Sequence, residues 1–239
     1  GPAHGHRRGH GRREMSTAAN TGAALPKRLL ICALGLLCYA SGVAVTKNCD
    51  LGISPIVSVA YVLSLITPIT MGWCTTLVNL VFFLLQRLLL RREYPLWMMG
   101  AQFLMSVLFS VTIDLTAVLF GFLAGWAPPY PARLAVFVLG CAVLALGVFL
   151  IVSADFVVLP AEGCVNAVVR RTGLRFGTGK VLFDGAMVAV TVAVSLLCFR
   201  QVRGIREGTL IAVVLIGTFA RHIGERLGPA LERHLAAAT

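Results

Sequence analysis

Five stretches of this chain are apolar and almost free of charge: residues 29–45, 75–85, 101–122, 134–152 and 181–199. Asp114 and Asp184 are the only charged side chains within them. About 20 apolar residues span the hydrocarbon core of a bilayer as a helix, and a helix satisfies its own backbone hydrogen bonds where no water is present. The chain therefore reads as an all-α membrane protein, a polytopic helical bundle. Its charged fraction of 13% points the same way, because soluble domains carry about 25%.

A formal net charge of +11 raises the question of nucleic acid. The Lys and Arg residues sit between the apolar runs, however, so membrane topology accounts for them and no nucleic-acid partner is expected. The seven Cys lie inside or at the ends of apolar runs and form no C-x-x-C pair. They read as small core residues rather than a disulfide frame or a metal site. Residues 1–28 form a basic amino-terminal tail with His and Arg but no apolar periodicity, expected to be disordered and solvated. Gly1-Pro2 has the form of a cleavage remnant, and Met15 that of a natural start. The run 29–45 reads as a retained first helix.

The apolar sequence is also duplicated. At an offset of 105 residues, Gly35 matches Gly140, Gly42 matches Gly147, Asp50 matches Asp155, Pro55 matches Pro160, Gly72 matches Gly177 and Asn79 matches Asp184. Only four Asp occur in the chain, and two of them coincide in this frame. With a three-residue shift the match continues from Gly100 to Gly208 and from Asp114 to His222. The expected organisation is a first membrane repeat over 29–122, a linker loop over 123–133, a second repeat over 134–230 and a carboxyl-terminal tail over 231–239. Duplicated membrane units place transport sites at the seam between halves in many carriers.

Each repeat holds four apolar segments: 29–47, 53–68, 72–90 and 97–122, then 134–153, 157–169, 177–199 and 208–227. The second of each set is short and opens near a proline, Pro55 or Pro160. A helix of 13 residues rises roughly 20 Å, less than the core thickness of roughly 30 Å. Proline fits the first turn of such a helix, where its missing N–H costs nothing. Two topologies follow. Re-entrant short segments give six full transmembrane helices plus two half-helices in inverted halves; full crossings give eight in two parallel four-helix repeats. With the amino terminus inside, the inverted arrangement puts Arg87, Arg91, Arg92, Arg170, Arg171, Arg175 and Lys180 on the cytoplasmic face and misplaces only Arg200, Arg203 and Arg206. The parallel one also misplaces Arg87, Arg91 and Arg92, so the inverted arrangement is favoured. The linker, with Trp126 and Tyr130 as interface anchors, then lies outside.

Irregular backbone at membrane depth needs a protein or aqueous cavity around it. The two short helices would present their amino-terminal N–H groups there, with Ser54 as a cap for the first. The competing reading makes both segments interfacial hairpins. Asp184 and its counterpart Asn79 lie within spanning segments, where an ionisable group costs about 2.5–3.5 kcal/mol and takes a partner or water. Pairing with Lys180, one turn before it, would give Asp184 a purely structural role, and proton or cation handling is the alternative. Asp114 faces the same choice, with Arg221 as a partner across the seam and His222 as a titratable neighbour. The alternative places Arg221 and His222 at the cytoplasmic end of the last helix. Glu162 and Asn166 share one face of the second short helix. Asp114, Asp184, Asn79, Glu162 and Asn166 are thus the candidate substrate- or ion-binding residues, with Ser54, Pro55 and Pro160 at the re-entrant turns.

No catalytic motif of the H-E-x-x-H, G-x-S-x-G or phosphate-loop type is present, and Gly177 to Lys180 lacks the spacing of the last. Asp50 and Asp155 would lie on opposite faces, unlike an intramembrane aspartyl dyad. No enzyme activity, cofactor or metal is expected. Gly42 with the motif Asp50-Leu51-Gly52-Ile53-Ser54-Pro55, Gly72 to Asn79, Gly177 to Asp184, and Glu207 to Gly217 resemble the YczE/YyaS/YitT family of bacterial integral membrane proteins. That resemblance implies a multi-pass protein of the bacterial cytoplasmic membrane with duplicated halves and no established reaction. The chain departs from its own first half at Val157-Val158-Leu159, which stands opposite Gly52-Ile53-Ser54. Two functions remain: a transporter or channel for a small solute or ion with a central site between the repeats, or a non-transporting scaffold or regulator of a partner complex.

Overall fold

In a computed structural model of the protein, the described residues are 25–236 apart from 91–95, 124, 126–127, 155–156 and 175. The tail before residue 25, Arg91, Arg92, Trp126, Asp155 and Arg175 lie outside them. Among the described residues there are eight α-helices and no strands. They are α1 (Leu25–Asn48), α2 (Pro55–Ile66), α3 (Met71–Leu90), α4 (Leu96–Leu119), α5 (Tyr130–Ala154), α6 (Pro160–Thr172), α7 (Phe176–Phe199) and α8 (Glu207–Ala236).

Five helices are long and apolar enough to cross a membrane: α1, α3, α4, α5 and α7. The sixth crossing expected over 208–227 belongs to α8, which is outside that group and carries Arg221, Glu225, Arg226 and Arg233 from its middle onward. α8 continues through Pro229 to Ala236, so residues 231–236, expected in the tail, are helical. α1 likewise starts at Leu25 rather than residue 29. α2 and α6 have 12 and 13 residues. Each has proline at its start, where the ring fixes a helical φ and no intrahelical hydrogen bond is lost.

α1 and α5 form the closest helix pair, and the reason is glycine. A Cβ on Gly147 would sit 2.3 Å from the Tyr39 amide and 2.7 Å from the Gly35 carbonyl. One on Gly42 would sit 2.7 Å from the Gly140 carbonyl. Lipid tails give apolar side chains no reason to prefer another helix, so close backbone approach through small residues drives association. Gly35 meets Gly147 while Gly42 meets Gly140, so numbering rises along α1 as it falls along α5: the two helices are antiparallel.

Two arginines tie the ends of this pair. Arg28 donates to the Ala154 carbonyl at 3.2 Å, and Arg133 donates to the Cys49 carbonyl at 2.9 and 3.1 Å. Carbonyls at a helix carboxyl end have no intrahelical donor, and a cation there also opposes the negative end of the dipole. α4 packs on α1 and α3, and α8 on α5. α2 and α7, α3 and α6, α2 and α3, and α6 and α7 complete the bundle. One core cluster joins Val59, Cys74, Phe82, Cys164, Val165 and Phe183 from α2, α3, α6 and α7. The seven cysteines are free thiols and five are buried, matching their expected packing role.

Gly147→Ala should lower stability by about 1–3 kcal/mol, since backbone rather than a flexible side chain occupies the space. Gly185→Ala, whose Cβ would meet nothing within 4 Å, should unfold like wild type. Thermal unfolding in one neutral detergent compares them, and equal midpoints for all three would remove the close-contact account.

Candidate functional site at the centre of the bundle

The amino-terminal ends of α2 and α6 come together inside the bundle. A cleft of about 20 Å³ lies between them, lined by Ile56 and Val57 of α2, Pro160 and Glu162 of α6, Tyr39 of α1 and Asn79 of α3. That volume holds about one water molecule. Tyr39 and Asn79 come from the middle of helices roughly 30–36 Å long, which puts the cleft about midway along α1 and α3. The two short helices therefore point inward with their positive ends.

Both proline carbonyls at this junction are engaged, in related ways. The Ser58 hydroxyl donates to the Pro55 carbonyl at 2.7 Å and shares a hydrogen bond with Thr191 of α7, also at 2.7 Å. In the other half, Gln86 of α3 donates directly to the Pro160 carbonyl at 3.1 Å. Gln86 reaches it across Gly163, where a Cβ would stand 2.5 Å from its Oε1. Ser58 and Gly163 are 105 residues apart, as are Gln86 and Thr191.

Each candidate residue has a definite place. Asn79 is buried and donates to the Ser106 hydroxyl of α4 at 2.7 Å. Asp184 is paired with Lys180 on its own helix, the structural arrangement. Asp114 accepts from the Gly72 amide at 2.9 Å and the Thr70 hydroxyl at 2.6 Å. From α4 it thus caps the start of α3, a negative charge at a positive helix end. The Asp114–Arg221 pair across the seam does not form: Arg221 pairs with Glu225 at 3.7 Å, and His222 bonds back to the Thr218 carbonyl at 2.9 Å. α8 packs on α5, and no extensive packing joins it to α7, so the last helix keeps its polar groups away from Asp114. Ser54 occupies the cap position of α2, but its hydroxyl makes no capping bond. With a φ of −53° and ψ of 136° it supplies a backbone turn only.

Glu162 differs from the others. It is the third residue of α6, and its carboxylate interacts with its own backbone amide. Oε2 is sealed from solvent with no hydrogen-bond partner. Lys180 and Asp184 act on it from α7, but Lys180 is already paired with Asp184. A buried carboxylate oxygen without a partner costs several kcal/mol unless a proton or cation joins it.

Glu162 also lines a second, larger cavity of about 470 Å³, together with Asn166, Gln102, Trp97, Ile151 and Val158. This vestibule is mostly apolar and ends on polar side chains at the central cleft. Glu162 and Leu159 belong to both spaces. Pro55 and Pro160 behave as their position in the sequence suggests. The polar supports Ser58, Gln86, Gln102 and Thr191 were not expected, although offset matching of Gln86 with Thr191 would have flagged one pair. Among the described residues, no three His, Cys, Asp or Glu side chains gather as metal ligands would.

The model of a family of unknown function, DUF6198, matches residues 26–225. No curated protein and no solved structure matches the chain.

Asp114→Ala should cost about 1–2 kcal/mol of stability through loss of the α3 cap. Asp114→Asn, which keeps one acceptor, should cost less. Chemical denaturation in detergent reads the order, and equal losses would mean that the cap is not what Asp114 supplies.

Proposed function

This chain belongs to DUF6198, a family of unknown function, and we propose from its own geometry that it is a carrier for a small solute or ion. The central site lies between two inverted halves, with α2 and α6 as re-entrant half-helices and α8 as a sixth crossing. The observation that carries this reading is Glu162: an unpartnered carboxylate oxygen, sealed at the meeting point of two helix starts, at the floor of a vestibule. Glu162 takes a proton or small cation there. Asn79 and Tyr39 line the rest of the cleft, and Asn166 stands one turn away towards the vestibule. The cleft holds no more than about one water, which fits a carrier with an occluded centre better than an open channel.

Several observations support the inverted halves. α1 and α5 are the first helices of the two repeats, and they run antiparallel. Arg28 with Ala154 and Arg133 with Cys49 are the same contact at the 105-residue offset. The pairings of α2 with α7 and α3 with α6 are likewise exchanged by that offset. We place the protein in the bacterial cytoplasmic membrane with its amino terminus inside, because Arg87, Arg170, Arg171 and Lys180 then share the cytoplasmic face. The likeness of Asp50 to Pro55 to the YczE/YyaS/YitT family fits this placement and lends no reaction to it. The reading assigns no catalytic residue and no cofactor.

One observation favours the second reading, a non-transporting scaffold or regulator. Asp184, Asp114 and Asn79 all have structural partners. Glu162 is the residue that this reading leaves unexplained.

Liposomes containing the purified protein, loaded with a pH-sensitive or, in parallel, a sodium-sensitive dye and given a potassium diffusion potential, should show proton or sodium flux that Glu162→Gln reduces to background. Asp184→Asn should retain flux, its role being to hold Lys180. Should wild type move neither ion and Glu162→Gln unfold at the wild-type midpoint, the carrier reading falls and the scaffold reading stands. For topology, single cysteines at Arg171 and Arg203 should label from opposite sides of intact cells. The background would carry Ser at Cys38 and Cys198. Burial pushes the Cys49 thiol up, with Arg133 pulling the other way, so Cys49 should stay silent. Labelling of both positions from one side would rule out inverted halves.

A further inference from the structure

On the face opposite the vestibule lies a polar pocket of about 320 Å³, formed by the end of α1, by α2 and by the α7–α8 loop. Lys47, Arg203 and Arg206 line it, with Asp50 as the one acidic side chain. Asp50 is already committed. It accepts from Arg206 at 2.8 Å and from Arg133 at 3.5 Å, and Arg206 also holds its backbone carbonyl at 2.6 Å. Lys47 lies over the Tyr61 ring at 5.7 Å, and no carboxylate pairs with it among the described residues. Asp114 acts on Lys47 from α4, but its two oxygens are taken by Thr70 and Gly72. Arg203 stacks on Phe199 at 4.6 Å and, with the Gln201 amide turned to face it, is met at 2.7 and 3.0 Å by a neutral oxygen. Positive charge is therefore in excess in a concave site.

Membrane topology does not account for this cluster. Arg203 and Arg206 lie at the far end of α7 from Arg170, Arg171 and Lys180, so they oppose the orientation the other basic residues set. Nor does the duplicated fold demand it. At the 105-residue offset Lys47, Gly52 and Ile53 become Val152, Val157 and Val158, which line the apolar vestibule. One architecture has thus been given an apolar mouth on one face and a cationic mouth on the other.

We propose that this pocket binds a phosphate-bearing anion, with Lys47 and Arg203 as its free cationic ligands and Arg206 held in place by Asp50. Guanidinium groups match the geometry of phosphate oxygens, and an ammonium adds a point charge. Two sources share this chemistry: free phosphate in solution, and the headgroup of an anionic lipid at the level of the helix ends. The site is independent of Glu162 and stands whether or not the protein is a carrier.

The test is thermal unfolding of the full chain in neutral detergent at constant ionic strength. Inorganic phosphate is titrated against chloride in one arm, and phosphatidylglycerol against phosphatidylcholine in mixed micelles in the other. Wild type should gain about 3 °C at ligand concentrations about tenfold above Kd. Lys47→Gln/Arg203→Gln should lose the gain, whereas Arg226→Gln, equal in charge per site but at the far part of α8, should keep it. A gain with both ligands assigns free phosphate chemistry; a gain with phosphatidylglycerol alone assigns a lipid headgroup. No gain in wild type, or an equal gain in the double variant, overturns the proposal. If the double variant does not fold, each single substitution should roughly halve the response, and undiminished responses in both singles overturn it equally.

Discussion

The close antiparallel contact between α1 and α5 holds the rest of the bundle in place. Four glycines, Gly35, Gly42, Gly140 and Gly147, let the two backbones approach until the carbonyls of one helix face the Cα atoms of the other. Inside a bilayer, packing of this kind replaces the hydrophobic effect as the force between helices. The reciprocal arginines close its two ends by satisfying carbonyls that a helix cannot satisfy itself. α4 then leans on α1 and α8 on α5, and the short helices are held on the inner side.

That geometry explains why the interior is polar where it is. Beginning a helix inside the bundle leaves its first N–H groups without intrahelical acceptors, away from the water that would otherwise meet them. Here the Ser54 carbonyl accepts from the Val57 and Ser58 amides, and the Leu159 carbonyl from the Gly163 amide. Ser58 and Gln86 add side-chain hydrogen bonds to the proline carbonyls, and Asn79 donates to Ser106 across α3 and α4. Within this well-matched set, the Oε2 atom of Glu162 stands without a partner. A group left incomplete beside completed neighbours is where a ligand or proton does the most to stabilise the structure.

The stretches that match at the 105- and 108-residue offsets are built differently in the structure. Asp114 fastens α4 to the start of α3, whereas its counterpart His222 bonds within α8, and no extensive packing joins α7 to α8. The two mouths have diverged in the same spirit, one walled by Val152, Val157 and Val158, the other carrying Lys47 and Arg203. The arginine loop at 200–206, which no single orientation rule accommodates, is explained locally. Asp50 draws Arg206 and Arg133 together, and the Ile53 amide bonds the Gly204 carbonyl at 3.2 Å.

Sequence by itself determined the helical class, the apolar spans and the placement of Pro55 and Pro160 in first turns, and it offered the pairing of Lys180 with Asp184 as one of two readings. Each follows from properties local to a helix: length, hydropathy, a fixed φ, or a four-residue spacing. Sequence also singled out Gly35, Gly42, Gly140 and Gly147, without saying that they face one another. The tertiary structure alone decided that Asp114 caps α3 rather than meeting Arg221, that Ser54 turns the chain without capping it, and that α8 runs on past residue 231. It alone separated Glu162 from the other polar candidates. Those outcomes depend on which helix lies beside which, and in a chain with so many interchangeable Leu and Val faces, adjacency is settled by packing over long sequence distances rather than by any local pattern.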